Sequence, residues 1–234
     1  MSTGPYAVRF GAFPPVAPQA GTVERVLLEI ENVGTLAWRH DVFVSYHWLD
    51  MRGNPIHWDG IRTPLPRPVA PEERITVGIA VRAPIPPGSY RFALDLVAEH
   101  RAWFGEIGPG GPEEELVVAP RVDAGRLEDV ADVHVPDGWE LAPGSAELAL
   151  AAHAEGYAVV APSIEAPRSL RRALVPWSGR DGRDPSFRRP LLCPSVLRGV
   201  EVEQVADVEG LAAFAPPPDE PWIYDGRVVV RAAL

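Results

Sequence analysis

Residues 41–58, DVFVSYHWLDMRGNPIHW, decide the fold class, because they predict a β-hairpin. Side chains alternate along the first strand, which places Tyr46 and Trp48 on one face and His47 on the other. The segment 50–54, DMRGN, has the composition of a tight turn. The apolar residues that follow the turn predict a returning strand.

Segments of the same kind continue on both sides of this hairpin. Proline and glycine number 27 and 21, and both residues interrupt helices while favouring turns between short strands. Strand-like segments recur at intervals of ten to fifteen residues, which predicts an antiparallel β-sandwich over residues 1–120. They are TVERVLLEIENVG (22–34), RITVGIAVRAP (74–84), SYRFALDLVAEH (89–100) and EELVVAP (114–120).

The sequence pattern changes near Arg121, where we place a domain boundary. Residues 144–156, GSAELALAAHAEG, predict a helix that Ser145 caps and Gly156 ends. Residues 121–234 therefore predict a smaller α/β domain. Its other predicted elements are a buried strand at YAVVAP (157–162), a second helix at PRSLRRALVP (167–176), strands at EVEQVADV (201–208) and RVVVRAAL (227–234), and a tight turn at Asp225-Gly226.

Composition narrows the setting and the classes of partner. The net charge of −10 argues against wholesale binding of nucleic acid or anionic membrane, because phosphate repels such a surface. All 22 basic residues are arginine, which we attribute to codon usage in a GC-rich bacterial genome. The single Cys193 excludes an intramolecular disulfide and suits a reducing cytoplasm. The N-terminus has no leader-like apolar run, and no segment is long enough to predict membrane insertion.

Four motifs in the first half resemble a known family. They are N-x-G-x-x-x-W at 32–38, G-x-R-T-x-L-P at 60–66, A-P-x-x-P-G-x-Y at 83–90 and W-F-G at 103–105. Over residues 20–118 the chain resembles the immunoglobulin-like β-sandwich domain of selective-autophagy receptors and accessory domains of bacterial polysaccharide enzymes and exporters. The second half resembles no family that we recognise.

This resemblance implies a fold and a type of function. The fold class becomes mainly β, with an N-terminal immunoglobulin-like β-sandwich followed by the smaller α/β domain. Domains of this family are non-catalytic modules that bind glycans or proteins. Gly34 and Gly88 lie where turns with positive φ are expected.

The first candidate site is an aromatic contact made by Trp58, His57 and Arg62, with His47 nearby. Sugars stack on indole rings, and arginine can bridge hydroxyls or phosphates. The alternative is that the aromatic residues form the core, which the sequence favours for three other tryptophans. For Trp58 both possibilities stay open. The core candidates are Trp38, Trp48 and Trp103.

The second candidate site is an Arg-rich segment. Residues 168–198 hold eight arginines and two aspartates, a net charge of +6 in a chain whose total is −10. Arginine suits phosphate and carboxylate, so the segment predicts contact with an acidic protein surface, a glycan or a nucleotide-sugar. The alternative is pairing with acids of the same chain. The residues selected as ligand contacts are Arg171, Arg172, Arg180, Arg183, Arg188 and Arg189.

Motifs for catalysis and cofactor binding are lacking in the sequence. There is no G-x-S-x-G elbow, no P-loop and no D-x-D pair. His47 and His57 have no evident third ligand, so neither a metal nor a cofactor is predicted. We expect Cys193 to be an inert buried thiol, and His134 and His153 to be structural.

Three hypotheses of function remain, of which the third is a structural protein that pairs its sheet edges with another chain. The first is a non-catalytic binding or scaffolding protein linked to bacterial surface-polysaccharide assembly. The second is an enzyme, a reduced sugar-nucleotide-dependent transferase that uses the Arg-rich segment to hold a diphosphate. The sequence predicts neither the oligomeric state nor the ligand.

Overall fold

The computed structural model describes residues 4–122, 138–165, 196–197, 203–208, 211–215 and 220–232. The chain is mainly β, with several antiparallel sheets. It separates into two compact units, one drawn from Met1–Pro84 and Gly88–Ala119 and the other from Ile85–Pro87 and Pro120–Leu234. That the segments 1–120 and 121–234 are domains with separate roles remains a prediction.

The first unit contains nine strands and one short helix among its described residues. One sheet has the order β1-β2-β6, and the second has the order β4-β3-β7-β8, with β5 paired to β3 and β9 paired to β7. The elements are β1 (Val8–Phe10), β2 (Val23–Asn32), β3 (Val42–Leu49), β4 (Pro55–His57), β5 (Thr63–Pro64), β6 (Arg74–Arg82), β7 (Gly88–Ala98), β8 (Ala102–Trp103), α1 (Phe104–Ile107) and β9 (Glu113–Val118).

Strand β3 supplies much of the core of this unit. Tyr46 and Trp48 are buried as their spacing predicts, and Trp38, Trp48 and Trp103 are confirmed as core residues. The Tyr46 hydroxyl accepts a bond from Arg82 N–H at 2.8 Å, and Trp48 Nε1 donates to the Arg82 carbonyl at 2.9 Å. Burial raises the pKa of Tyr46. Two side chains of one sheet thus hold the last residue of β6, which belongs to the other.

The opposite face of β3 is buried as well. Ser45 and His47 lie on this face, and the register places Ser45 directly opposite Asp95 of β7. All three side chains are buried. Buried polar side chains usually need hydrogen-bond partners inside the protein, so we expect neighbouring elements to supply partners for the groups on this face of β3.

The prediction for Gly34 was wrong in its mechanism. Gly34 does not adopt positive φ. A Cβ at this position would lie 2.6 Å from the carbonyl oxygen of Pro5 and 2.8 Å from the amide nitrogen of Ala7. Glycine is therefore required because another backbone segment passes close by, a use of the residue that a turn motif does not distinguish from a left-handed turn.

The second unit contains a sheet of order β10-β15-β11-β12 and a separate hairpin, β13-β14. Strands β11 and β15 are parallel, and the other pairs are antiparallel. Helix α2 packs small side chains such as Ala149 and Ala152 against Val160 and Val230 of the sheet. The elements are β10 (Trp139–Leu141), α2 (Ser145–Glu155), β11 (Val159–Glu165), β12 (Val196–Leu197), β13 (Glu203–Val208), β14 (Leu211–Ala215) and β15 (Trp222–Ala232).

Two local predictions in this unit were wrong. Gly144 is the residue before α2, and the Ser145 hydroxyl instead accepts a bond from Val229 N–H at 2.9 Å. Asp225-Gly226 is not a hairpin turn, because β15 runs through it as one strand with an irregular register against β11. Gly156, in contrast, ends the helix with positive φ as predicted.

Candidate functional site

The structure describes one of the two predicted sites. Trp58, His57 and Arg62 lie in and just after β4, at the border of the larger sheet. The six selected arginines, the predicted helix at 167–176 and Cys193 lie outside the described residues, so the ligand contacts assigned to the Arg-rich segment, and the transferase hypothesis built on them, stay predictions. The arginines are Arg171, Arg172, Arg180, Arg183, Arg188 and Arg189.

A turn closed by Asp50 delivers the chain to β4. Asp50 Oδ1 accepts bonds from the backbone N–H groups of Arg52 and Asn54, both at 2.8 Å. Oδ2 accepts from the side-chain amide of Asn54 at 2.7 Å. Gly53 takes a φ of +88° that other residues rarely adopt. One carboxylate therefore organises the whole turn.

The stability supplied by this turn is expected to depend on pH. The pKa of the Asp50 carboxyl lies below its ordinary value of 3.8, chiefly because the Asn54 side chain donates to it. Such a group contributes stability above its unfolded-state pKa and loses it as pH falls through the lower folded-state value. We expect the gap in Tm between the wild type and Asp50→Asn to be present at about pH 6 and to shrink towards about pH 2.5. A gap that stays constant over this range would contradict the assignment.

Beyond the turn, Gly60 brings the chain down onto β3. Its N–H donates to the Tyr46 carbonyl at 3.0 Å. A Cβ on Gly60 would lie 2.5 Å from the Tyr46 carbonyl oxygen and 2.7 Å from its ring. This close approach places Trp58 directly above His47. The two rings are stacked, with centroids 3.9 Å apart and an interplanar angle of 18°.

His47 lies at the centre of what we call the Trp58 cluster, defined as His47, Trp58, Arg62, Asp95 and Trp103. Trp58 covers one side of the His47 ring. The Trp103 ring meets it edge-on, with the two ring centroids 4.4 Å apart. His47 Nδ1 contacts the Trp58 carbonyl oxygen, and its Nε2 lies 3.5 Å from Asp95 Oδ2. Polar contacts and ring stacking thus attach Trp58 to the same imidazole.

Asp95 is held from below by the backbone. Its Oδ1 accepts from Leu96 N–H at 2.7 Å and from Gly105 N–H at 3.1 Å. A Cβ on Gly105 would lie 2.9 Å from Asp95 Oδ2, so the W-F-G segment can reach the carboxylate only with glycine there. These hydrogen bonds hold the carboxylate in one orientation.

Arg62 is occupied by neighbouring groups. Its guanidinium carbon lies 5.4 Å from the centre of the Trp103 ring, a cation–π geometry. Nη2 donates to Asp59 Oδ1 at 3.1 Å, and Nε lies 2.8 Å from Glu99 Oε1. We expected Arg62 to bridge a bound phosphate, but its guanidinium already lies between the carboxylates of Asp59 and Glu99.

The imidazole and the carboxylate of the Trp58 cluster are buried, whereas its Trp58 indole is partly exposed. His47 and Asp95 are 4% and 5% exposed, and within the described part of the chain the buried Ser45 Oγ has no hydrogen-bond partner. Trp58 itself is 43% exposed, although one face of its ring rests on His47. The arrangement displays an indole on a rigid support.

Two residues of the cluster were not selected from the sequence as site residues. Asp95 is the lone charge inside the apolar segment 92–98, FALDLVA, and this was the signal that could have identified it. Trp103 was predicted only as core, and it is buried. His57 lies in β4 with an exposed side chain, in register with Trp48. Among the described residues, no three histidine, cysteine or acidic side chains are grouped as a metal site would require.

Comparisons with known proteins leave the family open. No family model matches the chain, and neither does any curated protein. A family 123 glycoside hydrolase from Clostridium perfringens shares 11% identity, with 44% of this chain aligned to 22% of that chain and a TM-score of 0.26. The ApaA protein from Bordetella pertussis shares 20% identity, with 50% of this chain aligned to 92% of that chain and a TM-score of 0.23. At such TM-scores neither likeness bears on fold or function. In the described part of the chain, no helix has the length and apolar character needed to cross a membrane.

Proposed function

We propose that the first unit is a non-catalytic carbohydrate-binding module with an immunoglobulin-like β-sandwich fold, and that Trp58 is its principal ligand contact. The observation that carries the proposal is the 43% exposure of Trp58 above a buried His47. In line with the family resemblance, we further propose that the module acts in the assembly of a bacterial surface polysaccharide.

The sandwich proposal draws support from the motif residues. Asn32 side-chain nitrogen donates to the carbonyls of Leu36 and Val69, and its oxygen accepts from Gly34 N–H. Trp38, at the end of the same motif, pairs its backbone with Val69. The N-x-G-x-x-x-W segment thus forms a side-chain-bonded strand end, which is a structural role of the kind that the resemblance implies.

Carbohydrate fits the site because of the chemistry of an exposed and immobilised indole. The apolar face of a sugar ring stacks on an aromatic ring, and flanking polar groups bond the hydroxyls. Asp59 follows Trp58 directly in the chain and pairs with Arg62, so polar groups lie in the same segment as the ring. A ring already fixed by stacking on His47 loses little conformational entropy when a ligand binds, which favours affinity.

Replacement of Trp58 by alanine is expected to weaken saccharide binding by roughly 30-fold or more, which corresponds to about 2 kcal/mol at a central aromatic contact. The measurement is isothermal titration of neutral, amino and acidic oligosaccharides against the wild type and Trp58→Ala. Leu27→Ala is the matched control, because Leu27 is also apolar and is 72% exposed on the other sheet. Equal affinities of the wild type and Trp58→Ala would overturn the proposal.

A further inference from the structure

The charges around Trp58 carry an inference about which sugars the site accepts, and this inference rests on the proposed function. Asp59 follows Trp58 in the chain, and Arg62, whose guanidinium lies over the neighbouring Trp103 ring, links Asp59 to Glu99. Asp59 and Glu99 are 65% and 31% exposed at their side chains, and both contact Arg62. Two carboxylates and one guanidinium give this group of three side chains a net negative charge.

The buried layer beneath the ring does not reverse this balance. Asp95 accepts backbone N–H bonds from Leu96 and Gly105 and is 5% exposed. His47 Nε2 lies 3.5 Å from that carboxylate, and the residue is 4% exposed, so the imidazole is not accessible to an anionic ligand. The polar contacts of both ring nitrogens of His47 point to the Trp58 carbonyl and to Asp95.

An anionic sugar would find no available cation in the Trp58 cluster. Arginine recognises a carboxylate or phosphate with parallel N–H donors. Arg62 Nη2 already donates to Asp59 Oδ1, and its Nε lies at ion-pair distance, 2.8 Å, from Glu99 Oε1. Its guanidinium also lies over the Trp103 ring. Binding an acidic group there would require Arg62 to leave these contacts or would place three anions around one cation.

We propose that the Trp58 site selects neutral or amino sugars and excludes uronic, sialic and phosphorylated ones, and that Asp59 and Glu99 determine this specificity. A sugar amine gains attraction from both carboxylates and from the indole face, whereas a sugar carboxylate is repelled. At separations of a few ångström in a solvated site, one unit of charge changes affinity by about three- to tenfold. The discrimination should weaken as salt is added.

Three matched oligosaccharide series of equal length test the proposal by isothermal titration on the full chain. They are chitosan oligomers with free amines, the same oligomers fully N-acetylated, and oligogalacturonates. We expect oligogalacturonate to bind at least about threefold more weakly than the N-acetylated oligomer at low salt. Chitosan should bind at least as tightly as its acetylated form. These differences should narrow at high salt.

Variants assign the discrimination to its residues. The double variant Asp59→Asn, Glu99→Gln should raise the affinity for oligogalacturonate by about three- to tenfold relative to the affinity for the N-acetylated oligomer. Glu114→Gln is the control, because Glu114 is an exposed acid on β9. Tighter binding of oligogalacturonate than of the neutral oligomer by the wild type, or no change in the double variant, overturns this inference and leaves the proposed function standing. No binding of any series by the wild type overturns the proposed function itself.

Discussion

Asp95→Ala is expected to destabilise the first unit by about 3 kcal/mol or more, because several buried polar groups lose their hydrogen-bond partner at once. The substitution leaves the N–H groups of Leu96 and Gly105 without their acceptor and leaves His47 Nε2 facing an empty space. Unsatisfied buried donors keep their full desolvation cost. The measurement is chemical unfolding followed by tryptophan fluorescence, since four of the seven tryptophans lie in this unit.

Two further variants make this expectation specific. Asp95→Asn retains one oxygen that can accept the backbone N–H bonds, so we expect it to lose less than half of the stability that Asp95→Ala loses. Asp41→Ala is the surface control, because Asp41 pairs with the exposed Arg101 at 3.5 Å and such pairs contribute at most about 1 kcal/mol. If Asp95→Ala and Asp41→Ala had equal effects, Asp95 would not be the anchor of the Trp58 cluster.

Gly111→Ala should prevent the first unit from folding stably. A Cβ at this position would lie 1.7 Å from the Leu94 carbonyl oxygen and 2.8 Å from the Leu94 carbonyl carbon. The added atom must displace backbone on β7, and the bond from Leu94 N–H to the Pro112 carbonyl would be lost with it. A cost above about 4 kcal/mol is a large part of the stability of an ordinary domain.

The neighbouring glycine provides the control for this substitution. A Cβ on Gly110 would meet no atom within 4 Å. Gly110→Ala should therefore change the free energy of unfolding by no more than about 0.5 kcal/mol. Comparable loss of stability in both variants would show that the loop needs glycine for flexibility and not for the approach to Leu94.

Strand positions in the first unit were predictable because their cause is local. Side chains alternate between the core and the outer face along β2 and β6, and the same period of two placed Tyr46 and Trp48 on one inward face of β3. Burial of the other face of β3 was not predictable from this pattern. Asp225-Gly226 shows the limit of this kind of argument. The same two residues suit a turn or an irregularity within one strand, and only pairing with β11 decides between them.

The candidate site was predictable only in part. Trp58 could be selected from its own surroundings in the sequence, because it follows a turn and precedes Asp59-Gly60. The residues that support Trp58 could not be selected in this way, because Asp95 and His47 lie 48 positions apart in the sequence. The engagement of Arg62 by Glu99 is likewise non-local. In the sequence, Gly60 and Gly105 are indistinguishable from ordinary turn glycines. Only the structure shows that Tyr46 and Asp95 approach them too closely for a Cβ.

The contacts of Tyr46 and Trp48 with Arg82 have a consequence for association between chains. Strand β6 ends the order β1-β2-β6, and the outer strand of an open sheet is a template for unwanted pairing with other molecules. The Arg82 N–H and carbonyl are both taken by side chains of β3. The backbone of Arg82 therefore cannot pair with a strand from another molecule. Tyr46 and Trp48, which fill the core, thus also disfavour aggregation at this end of β6.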